Sequence, residues 1–287
     1  MSDKKSSPDA KQASPIVGRK REIDQLHRTI QLGRNLLIEG PVGVGKTFLV
    51  QQILRGFKKS FERIDGDTRY TEQKLTGWFD PPMVLKKGYV AACFVDGPLV
   101  IAMKKGIPLF INELNRMPEA VQNILLPAMD ERRIVLPKLG DVVAKPGFLV
   151  IATQNPREFT ATHALSEAVL DRFEMVSLDY QSREEELQIV RREVGTDLKG
   201  SWVERAVDLV RATRQHPSIK RGASLRAAIA ICQLASGGID FETGCLMALC
   251  SRIEMISSDE DAKDILLKLI GSGELPLGTE KKKELSR

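Results

Sequence analysis

Residues Gly40, Pro41, Val42, Gly43, Val44, Gly45, Lys46 and Thr47 run consecutively and combine well-spaced glycines with a closing lysine and hydroxyl. Glycines let a backbone curl until successive N–H groups point into one bowl, which suits a set of phosphate oxygens. A helix beginning at the end of such a loop adds the positive end of its dipole. Lys46 is placed to reach β- and γ-phosphates, Thr47 to offer its hydroxyl to magnesium, and Phe48 follows directly. The pattern arises by accident in about one chain of this length in a hundred. The chemistry it predicts is binding of ATP with Mg2+. A second candidate stands at Asn112 and Glu113, after the apolar run Pro108, Leu109, Phe110, Ile111. Glu113 has the carboxylate needed to orient and deprotonate an attacking water. Asn112, beside it, is an amide and not an acid. Its amide oxygen can hold a magnesium-bound water but brings no charge, so weaker metal affinity is expected, and Asn112→Asp is expected to tighten the magnesium dependence.

These residues need strands and helices to hold them. Apolar Leu36, Leu37 and Ile38 read as a strand entering the glycine loop, and Val50, Ile53, Leu54 and Phe57 recur at spacings of three and four, one face of a helix leaving it. The runs 108–111 and 148–152 read as further strands, each followed by helical patterns. Alternation of this kind predicts an α/β fold with a parallel sheet covered on both faces. Beyond about residue 183 the strand runs disappear, and patterns such as Ala206, Val207, Leu209, Val210 predict a small all-α domain. The expected organisation is a polar, disordered leader at 1–14, a nucleotide-binding core at 15–181, a helical domain at 182–273 and a basic flexible tail at 274–287.

Two segments of the core read as inserted hairpins: Arg133 to Ala144, turning at Pro137, Lys138, Leu139 and Gly140, and the run from Tyr89 to Val95. Either is a packing hairpin or a working element of a pore. Pro127 falls inside the helical pattern 119–132, where it predicts a kink.

The composition sets outer limits. The chain has 287 residues and a net charge of +5, and no apolar run approaches the roughly 18 residues of a membrane span. With no secretory signal either, a cytoplasmic location is expected. Cys93, Cys232, Cys245 and Cys250 lack the spacing of a zinc site and read as core thiols, while His27, His163 and His216 are scattered. Aromatic residues make up 5% of the chain and no basic stripe interleaves with them, so no nucleic-acid partner is expected.

The motif order resembles the AAA+ superfamily, and within it the MoxR-type ATPases, relatives of the magnesium chelatase ATPase subunit. The resemblance rests on IVGR at 16–19, GPVGVGKT at 40–47, GPL at 97–99, LFINELNRMPEAVQNILLPAMDER at 109–132, FLVIATQNP at 148–156, LSEAVLDRF at 165–173 and GASLRA at 222–227. It implies a P-loop AAA+ three-layer sandwich with a parallel sheet, followed by a helical lid. It also implies that Ile16 and Val17 line the adenine pocket, that Asn155 is a polar sensor beside Glu113, that Arg172 is an arginine finger acting on a neighbouring subunit's ATP, and that Arg226 is a second sensor on the lid. Such a finger is worth on the order of 10³ to 10⁵ in rate. From the residues alone, Arg172 could equally be a helix-end cation, Asn155 a turn residue and Arg226 a cover for apolar surface. The family further implies a homo-oligomeric ring, a hexamer, working on a client or adaptor protein, in some cases one with a von Willebrand factor A domain. A second reading, a nucleotide-gated binding module that hydrolyses ATP very slowly because of Asn112, stays open on sequence.

Overall fold

The computed structural model describes residues 16–57, 60–155, 164–195, 201–257 and 260–271. The expected leader and tail, together with His163 and Pro156, lie outside these. The chain divides into two compact units, one ending at Asp179 and the other beginning at Tyr180.

In the first unit the strands are β1 (Leu36–Glu39), β2 (Glu62–Asp65), β3 (Gly77–Phe79), β4 (Phe94–Asp96), β5 (Leu109–Asn112), β6 (Arg133–Leu136), β7 (Gly140–Val143), β8 (Val150–Gln154) and β9 (Glu174–Ser177). Five of them form one sheet in the order β2-β5-β8-β1-β9, and every neighbouring pair is parallel. The helices are α1 (Lys20–Gln31), α2 (Lys46–Gly56), α3 (Glu72–Thr76), α4 (Pro81–Lys87), α5 (Pro98–Lys105), α6 (Glu119–Asn123), α7 (Leu125–Asp130) and α8 (Glu167–Leu170). Central strands read as continuous apolar runs because both faces are covered: Leu36, Leu37, Ile38, Leu109, Phe110 and Ile111 are fully buried. Each such side chain contributes about 1.5–3 kcal/mol on burial. In α2 the buried residues Val50, Ile53 and Leu54 keep the predicted spacing.

The structure corrects two local expectations and bears out a third. Tyr89 to Val95 is not a hairpin. Ala91–Cys93 forms a single 3-10 turn, and β4 pairs antiparallel with the distant β3, with α4 between them. The pattern 119–132 is not one kinked helix but α6 and α7, broken at Ile124. Pro127 is thereby the third residue of α7, in a first turn whose N–H groups have no intrahelical acceptor, so its missing donor costs nothing there. The 133–144 hairpin forms as β6 and β7, with Leu136 opposite Gly140.

The second unit carries α9 (Arg183–Val194), α10 (Trp202–Gln215), β10 (Ile219–Arg221), α11 (Leu225–Ser236), α12 (Phe241–Leu249), β11 (Glu254–Met255) and α13 (Ala262–Gly271). Helices build its core, from Val190, Val207, Val210, Ala228, Ile231, Leu249 and Leu266. To these helices the unit adds one short antiparallel ribbon, β10 with β11. Two- and three-residue strands bury too little to leave an alternating signature in sequence.

Candidate nucleotide-binding site

In a parallel sheet every strand delivers its carboxyl end to the same edge, where α/β proteins place their ligands. Here that edge gathers the residues following β1, β2, β5 and β8. Residues 40–47 leave β1 and turn into α2, with Gly43 at φ 78° and Gly45 at φ 91°, left-handed values that suit glycine. A Cβ on Gly40 would stand 2.2 Å from the Leu178 carbonyl oxygen, so the chain passes there only as glycine. Lys46 Nζ donates to the carbonyls of Gly40 (2.6 Å) and Pro41 (2.9 Å), which keeps the ammonium against the loop. Phe48, on the first turn of α2, is exposed.

Thr47 meets Asn112 directly. Its hydroxyl donates to Asn112 Oδ1 at 2.6 Å, and the buried Thr153 hydroxyl donates to the same oxygen at 3.0 Å. Thr153 Oγ1 in turn accepts the Glu113 backbone N–H at 2.9 Å. Glu113 has φ 59° and ψ 54°, a left-handed conformation rare for a residue with a side chain and one that collects at functional sites. The Thr153 hydroxyl is what holds it there. Arg116 Nη1 lies 3.0 Å from Glu113 Oε2 and fixes the direction of the carboxylate. Asn155 follows β8, is buried, and accepts from Asn115 Nδ2 through its backbone carbonyl at 3.2 Å. The donor set of hydroxyl, amide oxygen and nearby carboxylates is all oxygen and fits a hard cation such as Mg2+, with Thr47 and Asn112 nearest each other.

Ile16 and Val17 are half-buried and lead into Arg19, whose Nη2 donates to the Val44 carbonyl of the loop at 3.1 Å and to the Asp179 carbonyl at 2.8 Å. The IVGR segment is thereby tied to the glycine loop.

Arg172 is not brought to this site. It precedes β9, whose first residue Glu174 pairs with Leu36 at the amino end of β1. From Leu36 to Gly40 the strand advances about 13 Å at roughly 3.3 Å per residue. Arg172 Nε instead meets Asp130 Oδ2 at 2.8 Å, and its Nη1 donates to the Ala168 carbonyl at 2.8 Å. Arg226 lies exposed in the first turn of α11, within the second unit. The 222–224 loop ahead of it is held to α10. Arg214 Nε donates to the Ala223 carbonyl at 2.9 Å, Thr213 Oγ1 accepts from Ala223 N at 3.0 Å, and a Cβ on Gly222 would stand 2.5 Å from Arg214 Cα.

Sequence reasoning missed Thr153, Arg116, Arg19 and Asp130. A hydroxyl following the apolar run of β8 was the visible signal for Thr153; Arg19 closes the IVGR motif and Arg116 stands three residues after Glu113, while Asp130 is a partner that only the fold identifies.

Residues 35–173 match the AAA domain family, dynein-related subfamily. The chain is 30% identical over 242 residues to a gas vesicle ATPase, GvpN, of Haloferax mediterranei, a match covering 79% of this chain and 69% of that protein. It is 30% identical over 225 residues to GvpN1 of Halobacterium salinarum, covering 73% of this chain and 64% of the relative. The chain therefore spans about two thirds of these relatives' lengths. A solved structure of a RuvB variant from Thermotoga maritima superposes with a TM-score of 0.54 over 90% of this chain and 71% of that one, at 17% identity, a likeness of fold. With its phosphate loop, its parallel sheet and these relatives, the chain belongs to the AAA+ ATPases, and its residues 35–173 carry the dynein-related AAA domain.

Proposed function

We propose that the chain binds ATP with Mg2+ at residues 40–47 and hydrolyses it as one subunit of a closed ring, a hexamer, in the manner of MoxR-type ATPases. The observation that carries this reading is the single connected set Thr47–Asn112–Thr153–Glu113 at the end of the phosphate loop. Lys46 would bind phosphate oxygens, and Thr47 and Asn112 would hold the cation. When bound, Mg2+ neutralises charge on the phosphates. Glu113 orients the attacking water and accepts its proton, with Asn155 as the polar sensor beside it. Ile16, Val17 and Phe48 bound the nucleotide, and Arg226 on the helical lid is the second sensor. Arg172, on the opposite edge of the sheet, serves the ATP of a second copy, which requires a head-to-tail interface. The work is done on a client or adaptor protein, one with a von Willebrand factor A domain among the candidates, in the cytoplasm. Among the described residues no helix is long and apolar enough to cross a membrane.

The test is steady-state phosphate release across a protein concentration series, beside Glu113→Gln and Arg172→Ala. Specific activity that rises with concentration and is lost in both variants is expected. Activity independent of concentration and intact in Arg172→Ala would remove the shared site.

The Glu113–Arg116 ion pair favours a second reading, a nucleotide-gated module with very slow turnover, since the guanidinium occupies the carboxylate that has to meet the attacking water. On that reading Arg116→Ala accelerates phosphate release; on the first it does not.

A further inference from the structure

The amide of Asn112 is used at both ends. Its Oδ1 accepts from Thr47 and Thr153, while its Nδ2 donates to Asp65 Oδ1 at 2.8 Å. Asp65 is the last residue of β2, and the parallel register sets it beside Asn112 at the carboxyl edge of the sheet. Arg63 Nη2 also donates to Oδ1 of Asp65 at 2.8 Å, which leaves Oδ2 without a partner among the described residues. The neighbouring Asp67 is engaged elsewhere: the side chain and backbone N–H of Arg69 donate to it and hold its carboxyl below the usual range. The chain beyond Asp65 is pinned, since Gly66 N donates to the Asn112 carbonyl at 2.7 Å and a Cβ on Gly66 would stand 2.0 Å from the Glu113 carbonyl oxygen.

We propose that Asp65 supplies, from the adjacent strand, the negative charge that Asn112 lacks, so that the two residues together act as the acidic partner of the cation. An amide has two chemically different ends, and its orientation is settled by its neighbours. A carboxylate only accepts, so Asp65 fixes Nδ2 toward itself and thereby turns Oδ1 toward Thr47. Its charge polarises the amide along that chain of hydrogen bonds and adds a field at the cation's place. Asp65 is a positioning residue, one group removed from the metal. This rests on the Mg2+ reading given above. It also revises the expectation for Asn112→Asp, which would set two carboxylates face to face in place of a hydrogen bond.

The experiment titrates Mg2+ against a fixed concentration of a fluorescent ATP analogue bound to the full chain, and repeats the binding in EDTA. It compares wild type, Asp65→Asn, Asn112→Asp and the double exchange Asp65→Asn/Asn112→Asp. Asp65→Asn is expected to raise the half-saturating Mg2+ concentration roughly tenfold while leaving affinity in EDTA unchanged, as for one charge removed near a half-exposed cation. Asn112→Asp alone is expected to give no gain. The double exchange, which swaps acid and amide, is expected to return toward wild type. An unchanged Mg2+ requirement in Asp65→Asn, an equal loss in EDTA, or a double variant no better than Asp65→Asn would each overturn the proposal. A wild-type chain whose nucleotide binding ignores Mg2+ overturns the metal reading itself, an outcome distinct from the others.

Discussion

Thr153→Val removes one hydroxyl and little else. Valine keeps the β-branched shape that a buried strand favours, so the backbone of β8 has no reason to move. Thr153 is 0% exposed, and its Oγ1 makes two hydrogen bonds, one to Asn112 Oδ1 at 3.0 Å and one from the Glu113 N–H at 2.9 Å. At about 0.5–1.5 kcal/mol net for each, the loss is about 1–3 kcal/mol, with the upper end set by the stranded N–H. Asn112 Oδ1 keeps Thr47, whereas Glu113 loses the contact that holds it at φ 59°. For a unit of this size a loss of that order lowers Tm by on the order of 5 °C.

Three measurements follow the change. Calorimetry reads the stability loss, hydrogen exchange reads the Glu113 amide, and phosphate release reads the carboxylate's placement. The Glu113 amide is expected to exchange about tenfold faster, as a loss of roughly 1.4 kcal/mol of local protection requires. Phosphate release is expected to fall while binding of an ATP analogue persists, because the phosphate loop is untouched. Thr153→Ser keeps the hydroxyl and is expected to keep turnover. A Thr153→Val chain with unchanged melting, unchanged exchange at residue 113 and unchanged turnover would refute the claim that this hydroxyl organises the site.

Lys46→Ala is expected to abolish binding of an ATP analogue, whereas Glu113→Gln retains it; equal affinity in the Lys46 variant and wild type, by fluorescence titration, contradicts the loop assignment. Gly66→Ala drives a Cβ to 2.0 Å from the Glu113 carbonyl oxygen and should cost several-fold in phosphate release at intact nucleotide affinity, a split that kinetics and binding measured side by side can deny. Burial pushes the Cys232 thiol up to about 11 and that of Cys245 up to about 12, and Cys93 is buried, while Cys250 is exposed. Alkylation of the native chain at pH 8 should therefore mark Cys250 first, with the other three reacting after denaturation; mass spectrometry showing early modification of Cys232 or Cys245 contradicts their burial.

What sequence reasoning recovered and what it missed divides along burial. The central strands β1, β5 and β8 announce themselves because both faces are covered and nearly every residue is apolar. The outer strands β2 and β9 went unnamed: each lies at an edge of the sheet and buries one residue, Ile64 or Val176. Asp65 ends one of those unread strands, so its place beside Asn112 had no sequence signal. The phosphate loop was legible because its geometry demands glycine at fixed positions. The β3–β4 pairing was not, because α4 separates the partners and no tight turn marks the connection. Thr153 acts through contacts that depend on how β5 and β8 sit side by side, a relation that no spacing within one strand encodes.

The direction of the strands also decides which of the candidate residues share one edge of the sheet. Residues that follow a strand of a parallel sheet arrive at its carboxyl edge, and residues that precede one arrive at its amino edge. Lys46, Thr47, Glu113 and Asn155 follow strands, and Asn112 closes one. Arg172 precedes β9 and is anchored at the far edge by Asp130 and the Ala168 carbonyl. A role for Arg172 in phosphoryl transfer therefore demands that the amino edge of one sheet face the carboxyl edge of another. Such a contact is heterologous; where its rotation closes it makes a ring, and turnover would then depend on assembly through the position of a single arginine.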